Sequence, residues 1–327
     1  MFDFLSLKPD IFGLDINDRS IKIVKLKKKR GFFKLDSLND VDVKEGVIEE
    51  GAIKDEKGLA ETIKKACSSV KGKKLNTKYA IASLPEEKAF LQVIQLPKMS
   101  EEELKSAVPL EAENYIPLPI DEVYLDFKSI DSGSGQLDIL ITAVPKATVD
   151  SYVSCIKEAG LIPVALEVES EAVARALIKG GISEVPLVIL DVGKNTAGFI
   201  VFSGGSIRFT SSIKIVSKKS ISESYMAELV SQVDKFIDFY QNHANHADSG
   251  KNKIRKIILA GGGSDSKGLA ESLLKGLKIP AEPGNPWSNA NIKQISPELL
   301  KFYKKPLPFC TAIGLAIRGA GLNDMIQ

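Results

Sequence analysis

Asp15 and Asp191 are the residues whose surroundings best suit chemistry on a phosphate. Each ends an apolar strand, in Leu14-Asp15-Ile16-Asn17 and in Leu190-Asp191-Val192-Gly193. Each is followed by a tight turn and a returning strand that starts on a hydroxyl residue. The first return runs from Ser20 through Lys22 to Leu26, the second from Thr196 through Gly198 to Phe202. A carboxylate beside a row of turn N–H groups suits a phosphate chain and its divalent cation. The amides meet the oxygens and the carboxylate holds the metal. Because the pattern occurs once in each half of the chain, the two hairpins are expected to face each other across a cleft and close on one ligand.

Gly261-Gly262-Gly263-Ser264 follows an apolar strand and precedes a helical pattern. Glycines allow close backbone approach, and a helix start offers unpaired N–H groups to an anion or a purine edge. A tight strand-to-helix turn accounts for the same residues, so both readings stand. His243 and His246, the only histidines, lie one helical turn apart and close to Asp248. They could hold a divalent ion, but a solvated helix end is the preferred reading because no distant fourth ligand is evident. Trp287, after Asn285-Pro286, reads as a packing residue or as part of a partner surface.

Alternating and helical patterns supply the elements that must position these residues. After the first hairpin, Leu59, Ile63, Ala66, Cys67 and Val70 recur at helical spacing, and Tyr79–Leu84 is a short apolar strand stopped by Pro85. Residues 86–144 read strand, helix, strand, strand. The helix starts after Ser100 with Glu103 in the capping-box position, and Pro109 is expected to kink or split it. A helix bearing Val149, Tyr152, Val153 and Ile156 leads to a strand near 164–168 and a helix near 170–179. The second hairpin gains a third strand, Ser206–Thr210. A long amphipathic helix follows, with Met226, Leu229, Val230, Val233, Ile237 and Tyr240 on one face. The small residues of Cys310–Arg318 suit close helix packing. Strands alternating with helices in two related halves predict an α/β architecture.

A chain of 327 residues can bury a substantial core and suggests two domains. With 44 basic and 42 acidic residues, no global field argues for nucleic acid. The run Lys27-Lys28-Lys29-Arg30-Gly31 falls at the first hairpin's far turn. It reads as a solvated turn, with an acidic membrane surface or partner as the alternative. Cys67, Cys155 and Cys310 lie far apart within apolar patterns and read as buried thiols of a reducing compartment. No apolar run is long enough to span a bilayer, and Met1-Phe2-Asp3-Phe4 does not start a signal peptide, so a cytoplasmic location is expected.

Taken in order, these motifs resemble the PilM family of type IV pilus assembly, itself related to the division protein FtsA. The likeness rests on Gly13–Ile16, Glu111–Pro117, Asp191–Gly193, Ala260–Gly263, Gly284–Pro286 and Ala312–Ala316. It implies an actin-like (ribonuclease H-like) α/β fold of two lobes, with an inserted β-α-β-β subdomain and a trimmed second lobe. The first lobe would comprise 1–85, 145–180 and 306–327, the insert 86–144, and the second lobe 181–305. ATP and Mg2+ are the implied cofactors. Asp15 and Asp191 would hold the metal through water. Asn17, Ser20, Lys22, Gly193, Asn195 and Thr196 would meet phosphate, and Gly261, Gly262, Gly263 and Ser264 the adenosine. Glu169 is the match for an acidic residue that orients the attacking water, against the plainer reading of a carboxylate at a helix start.

Two departures from the family pattern matter. Asn17-Asp18-Arg19 stands where the family has glycine and small residues, so Asp18 is expected to bring negative charge toward the phosphates and Arg19 to offset it. After the second hairpin, residues 213–220 run almost directly into the long helix, where the family carries a covering segment.

The resemblance further implies a cytoplasmic scaffold, at most a weak ATPase. It would capture the N-terminal peptide of a PilN-type inner-membrane protein, link motor components to the pilus machinery, and meet the membrane only through that partner. The groove is expected between the insert and the first lobe, with Leu104, Tyr115, Ile116 and Leu118 as contacts and core packing as the competing reading for each. The rival functions are a small-molecule kinase of the same superfamily and an FtsA-like division protein. A kinase needs a general base that no residue cluster here supplies. A division protein of that kind needs a membrane-anchoring helix, for which 322–327 is too short.

Overall fold

The fold was obtained as a computed structural model, which describes residues 9–29, 31–131, 136–194, 196–214, 223–243 and 253–325. The chain opens with strands β1 (Ile11–Ile16), β2 (Ser20–Lys29), β3 (Phe32–Asp42), β4 (Ile48–Glu49) and β5 (Ala52–Ile53). Helix α1 (Glu56–Ser68) precedes β6 (Lys71–Gly72) and β7 (Tyr79–Leu84). Next come β8 (Phe90–Pro97), α2 (Glu101–Ala112), β9 (Val123–Asp131) and β10 (Gln136–Pro145). Helix α3 (Lys146–Glu158), β11 (Ile162–Val168) and α4 (Glu169–Leu177) lead to β12 (Ser183–Val192), β13 (Thr196–Gly204) and β14 (Ser206–Lys214). The remainder is α5 (Glu223–His243), β15 (Lys256–Ala260), α6 (Leu269–Leu277), β16 (Ala281–Pro283), β17 (Ile292–Gln294), α7 (Leu300–Tyr303) and α8 (Cys310–Met325).

One sheet plan occurs twice. In the first sheet β1, β2 and β3 form an antiparallel meander, β7 joins β1 in parallel, and β11 joins β7 in parallel. In the second, β12, β13 and β14 form the meander, β15 joins β12, and β16 joins β15. The strand orders β11-β7-β1-β2-β3 and β16-β15-β12-β13-β14 are therefore equivalent. Both parallel steps need helical crossovers, which the alternating strand and helix patterns supply.

The chain divides into two compact units, Met1–Pro85 with Thr148–Leu177 and Asn285–Gln327, and Glu86–Ala147 with Ile178–Gly284. This differs from the sequence expectation at two places. Residues 285–305 fall in the first unit because β17 pairs with β3. Residues 86–147 join the second unit, where buried Asp138 on β10 meets Arg208 on β14 in an ion pair. Gln95 donates to the same carboxylate at 3.1 Å.

In the first unit, α8 packs over β2 and β3 through Ala312, Ile313, Ala316 and Ala320. At Gly314 the backbone of α8 lies so close to the carbonyl of Ala172 on α4 that a Cβ would overlap it. The small residues thus do what their spacing predicts. In the second unit, Leu229, Val233, Ile237 and Tyr240 of α5 and Leu269 and Leu273 of α6 share one core with β12, β13 and β15. The antiparallel sheet β8-β10-β9 carries its own core with α2. Helix α2 starts on a complete capping box between Ser100 and Glu103 and runs unbroken past Pro109, without the expected split. Among the described residues no helix is long and apolar enough to cross a membrane.

Candidate functional site

Both aspartate hairpins form and close in the same way. Asn17 N–H donates to Ser20 O at 3.1 Å, and Gly193 N–H donates to Thr196 O at 2.9 Å. The first belongs to the first unit and the second to the second unit. Their chemistry differs from this point on.

In the first hairpin Asp15 is 3 % exposed. The register sets it opposite Lys22, whose Nζ lies 3.6 Å from its carboxylate. Ser83, at the end of β7, donates its Oγ to Asp15 at 3.4 Å while accepting Ile16 N–H at 2.8 Å. Burial holds the Asp15 carboxyl above the usual carboxylate range, against the opposing pull of Lys22 and Ser83. Ser20 is tied in through Lys22 Nζ, which donates to its Oγ at 2.7 Å.

The turn's own amides are engaged. Asn17 Oδ1 accepts Arg19 N–H at 3.1 Å and Ser20 N–H at 3.0 Å. A side-chain oxygen therefore sits on the donors that a phosphate oxygen would need. Asp18 does not bring its charge to this turn. Its two carboxylate oxygens accept Glu50 N–H at 2.7 Å and Gly51 N–H at 3.0 Å. These donors belong to a turn in which Glu50 has φ 51°, and a fixed acceptor there offsets the strain. Arg19 makes a solvent-exposed pair with Glu45 at 3.9 Å.

The second hairpin is joined to the glycine turn. Asp191 pairs with Ala260 across β12–β15, and Gly263 N–H donates to Val192 O at 2.8 Å. Gly261 has φ +81°, and a Cβ on it would strike the Asp191 carboxylate and the Val192 carbonyl. A Cβ on Gly263 would come within 2.6 Å of Val192 Cγ1. Gly261 and Gly263 are glycine because the turn lies directly against Asp191 and Val192. It does not open a helix, since α6 begins only at Leu269, and buried Ser264 donates its Oγ back to Gly261 O at 2.6 Å. Opposite Asp191 the register places Gly198, where the first hairpin has Lys22. Gly262 is exposed and Thr196 half-buried, while Asn195 lies outside the described residues. In the first hairpin the Arg19 and Ser20 amides are taken by Asn17, whereas in the second the glycine turn packs directly on Asp191 and Val192.

Glu169, the candidate for orienting water, is the half-buried first residue of α4. A stronger carboxylate cluster lies beside it. Glu167, with a fully buried side chain, is bound by Arg175, one of whose Nη atoms donates at 2.8 Å, and by Arg318 Nη1 at 3.1 Å. Burial, followed by the charge of Glu167, pushes the Glu171 carboxyl up to about 7. The sequence signal for this cluster was the Glu171–Arg175 spacing of one helical turn; Arg318 is contributed by α8. Ser83 was equally hidden, as a lone hydroxyl within an apolar strand.

Of the expected partner contacts, Leu104 and Ile116 are buried in the core beneath α2, as the packing reading has it, while Tyr115 is 43 % and Leu118 39 % exposed. Glu113, Ile116, Pro117, Leu118, Pro119, Ile120 and Asp121 line a recess of about 640 Å³. His246 and Asp248 lie outside the described residues, and among those described no group of three or more His, Cys, Asp or Glu is placed to hold a metal ion. Residues 215–222, where a shortened cover is expected, also lie outside them. Cys67, Cys155 and Cys310 are free thiols, and burial pushes those of Cys67 and Cys155 up to about 11.

Comparison with solved structures identifies the fold. A chain of a PilM–PilN type IV pilus biogenesis complex matches with a TM-score of 0.82 at 24% identity, over 96% of this chain and 99% of that one. MreB5 of Spiroplasma citri bound to AMPPNP gives a TM-score of 0.52 at 11% identity, over 98% of each chain. The ethanolamine utilization protein EutJ of Carboxydothermus hydrogenoformans gives 0.50 at 14% identity, over 94% of this chain and 88% of that one. The fold is actin-like. The family profile described as type IV pilus assembly protein PilM matches residues 13–214 and 215–320, and on that extent the chain belongs to the PilM family of type IV pilus assembly proteins.

Proposed function

We propose that this chain is a cytoplasmic scaffold of type IV pilus assembly that captures the N-terminal peptide of a PilN-type inner-membrane protein. Through that peptide it would sit at the inner face of the membrane and connect motor components to the pilus machinery. The observation that carries this reading is the recess at residues 113–121, where proline-rich backbone, Ile116 and Ile120 offer an apolar floor beside exposed Tyr115 and Leu118. Glu113 and Asp121 give it an acidic lip. Short cytoplasmic tails next to a membrane span carry an excess of Lys and Arg, so an apolar recess with acidic edges suits such a peptide.

ATP with Mg2+ is the proposed second ligand, held by Asp191, Gly193, Thr196 and the Gly261–Gly263 turn. When bound, it would supply a charged phosphate chain that the turn amides and the carboxylate-held cation neutralise. Scaffolding requires binding and not turnover.

Calorimetry with a synthetic peptide of the PilN-type N-terminus tests the first reading. Micromolar binding, weakened about tenfold or more by Leu118→Asp, is the expected result, since an exposed apolar anchor contributes about 1–2 kcal/mol. Correctly folded protein that ignores the peptide overturns it.

A further inference from the structure

The basic run between β2 and β3 is one part of a larger array. By sequence, residues 27–34, 71–74 and 293–305 together hold 12 basic residues and one acidic residue, Glu298, leaving 32 basic and 41 acidic elsewhere. The fold brings these three segments to one edge of the first unit's sheet. Strand β17 pairs with β3 at Phe33 and Lys34, which sets exposed Lys293 beside the β2–β3 turn, its Nζ 5.7 Å from the Phe32 ring centre. Strand β6 pairs with β3 at Ser37 and Leu38, and Lys71 Nζ lies 4.6 Å from the ring centre of Phe302 on α7. Lys301 faces the same ring at 4.9 Å. From Phe33 to Leu38 the edge extends about 17 Å at the usual rise per residue. Lys27, Lys28 and Lys29 stand exposed at one end, and Lys304 and Lys305 are exposed on the segment that follows α7.

We propose that this edge is a docking surface for anionic lipid headgroups, a membrane contact independent of any protein anchor. The composition selects the occupant. Eleven of the 12 cations are lysines. Lysine is a flexible point charge, suited to a fluid surface of scattered negative headgroups, whereas reading a phosphate backbone at fixed positions favours the planar fork of arginine. The aromatic rings beneath the lysines fit the same surface: Phe32 and Phe302 carry ammonium groups over their faces, and Trp287 stacks on Tyr303 at 5.4 Å. Lysine stems over aromatic carbon place the charge outermost. The rest of the chain carries a net acidic balance, which would orient the molecule with this edge toward an anionic surface.

Vesicle sedimentation of the full chain tests the proposal, with phosphatidylglycerol–phosphatidylcholine vesicles compared with phosphatidylcholine alone. Binding to the anionic vesicles only, lost at high salt, is expected. Each basic residue near such a surface contributes about 1 kcal/mol, so the triple variants Lys27→Glu/Lys28→Glu/Lys29→Glu and Lys301→Glu/Lys304→Glu/Lys305→Glu should each weaken it at least about tenfold. The milder Lys→Gln triples guard against misfolding, and circular dichroism confirms the fold of each. No sedimentation with anionic vesicles, equal sedimentation with neutral ones, indifference to both charge reversals, or preferential retention by duplex DNA at the same salt overturns the proposal. No partner peptide is present, so failure of the scaffold reading leaves this result unaffected.

Discussion

Lys22 stands directly across the β1–β2 register from Asp15, its Nζ 3.6 Å from the carboxylate, while the equivalent place opposite Asp191 is Gly198. One hairpin plan thus sets a lysine across the register from its aspartate in one unit and a glycine in the other. Removing Lys22 leaves a buried carboxylate with Ser83 as its remaining side-chain partner among the described residues. Lys22→Met should therefore destabilise the protein by roughly 3 kcal/mol, the usual cost of stranding a buried charge. Asp15→Asn in the same chain should recover much of that loss. Urea denaturation of the three variants reads both effects, and a Lys22→Met loss under about 1 kcal/mol would show the pair to be incidental.

Asn17 Oδ1 accepts the two amides that the proposed nucleotide reading would give to a phosphate. Asn17→Gly would release the N–H groups of Arg19 and Ser20 from Oδ1 while leaving the closing bond from residue 17 to Ser20 O in place. Two freed donors are worth about 1–1.5 kcal/mol to an incoming phosphate, so ATP–Mg2+ should bind roughly tenfold tighter in calorimetry. Asp191→Ala should weaken the same binding. Unchanged affinity in Asn17→Gly would mean that the first turn takes no part in holding the nucleotide.

The hairpins, the capping box of α2, the amphipathic face of α5 and the small-residue spacing of α8 were legible because each is local. Alternation, a four-residue cap or a 3.6-residue period carries the signal. What escaped depends on contacts distant in the chain. Arg208 and Asp138 are 70 residues apart, and nothing in either neighbourhood announces that 86–147 packs with the second unit. Strand β17 has three residues, too few for a period to show, and so its move to the first unit could not be read. At Asn17 the residue type was noticed, but a turn-forming asparagine and an oxygen that occupies an anion position look alike in sequence.

Glu171 makes stability depend on pH. Its carboxyl, ordinarily near 4.5, is pushed up to about 7, first by burial and then by the charge of Glu167 and the hydrogen bond the two share; Arg175 and Arg318 pull the other way. Between those values the folded chain holds a proton that the unfolded chain releases. The contribution is complete below about 4.5 and is lost as pH rises through about 7. Glu171→Gln keeps the neutral shape and should flatten this slope, gaining about 3 kcal/mol over the wild type at the alkaline end, because one pKa unit is about 1.4 kcal/mol. Urea midpoints across the window test it, and parallel curves for the two proteins would contradict the assignment.

The Asp138–Arg208 pair should hold residues 86–147 to the second unit's sheet. Asp138→Asn removes the negative charge beside the guanidinium, 10 % exposed, and leaves it only neutral acceptors such as Ser203 O at 3.3 Å. A loss of about 3 kcal/mol is expected from a buried charge without its partner. Replacing both members with apolar residues, Asp138→Leu with Arg208→Met, should cost much less. Limited proteolysis separates docking from general stability, since early cleavage within 86–147 is expected in Asp138→Asn alone. A uniform cleavage pattern would mean that the pair stabilises without docking.

Gly314 sets the distance between α8 and α4. In Gly314→Ala the new methyl would overlap the Ala172 carbonyl, a backbone atom that cannot rotate away, so the helices must separate. Overpacking of this kind costs about 1–3 kcal/mol, and a forced backbone shift takes it to the upper end. Better helix propensity returns roughly 1 kcal/mol at most, too little to reverse the sign. Gly321, with open space around its Cβ position, is the internal control. Gly321→Ala should be neutral or slightly stabilising, so thermal denaturation of the two variants should move in opposite directions; a shared direction would show that close approach at Gly314 is not what selects glycine.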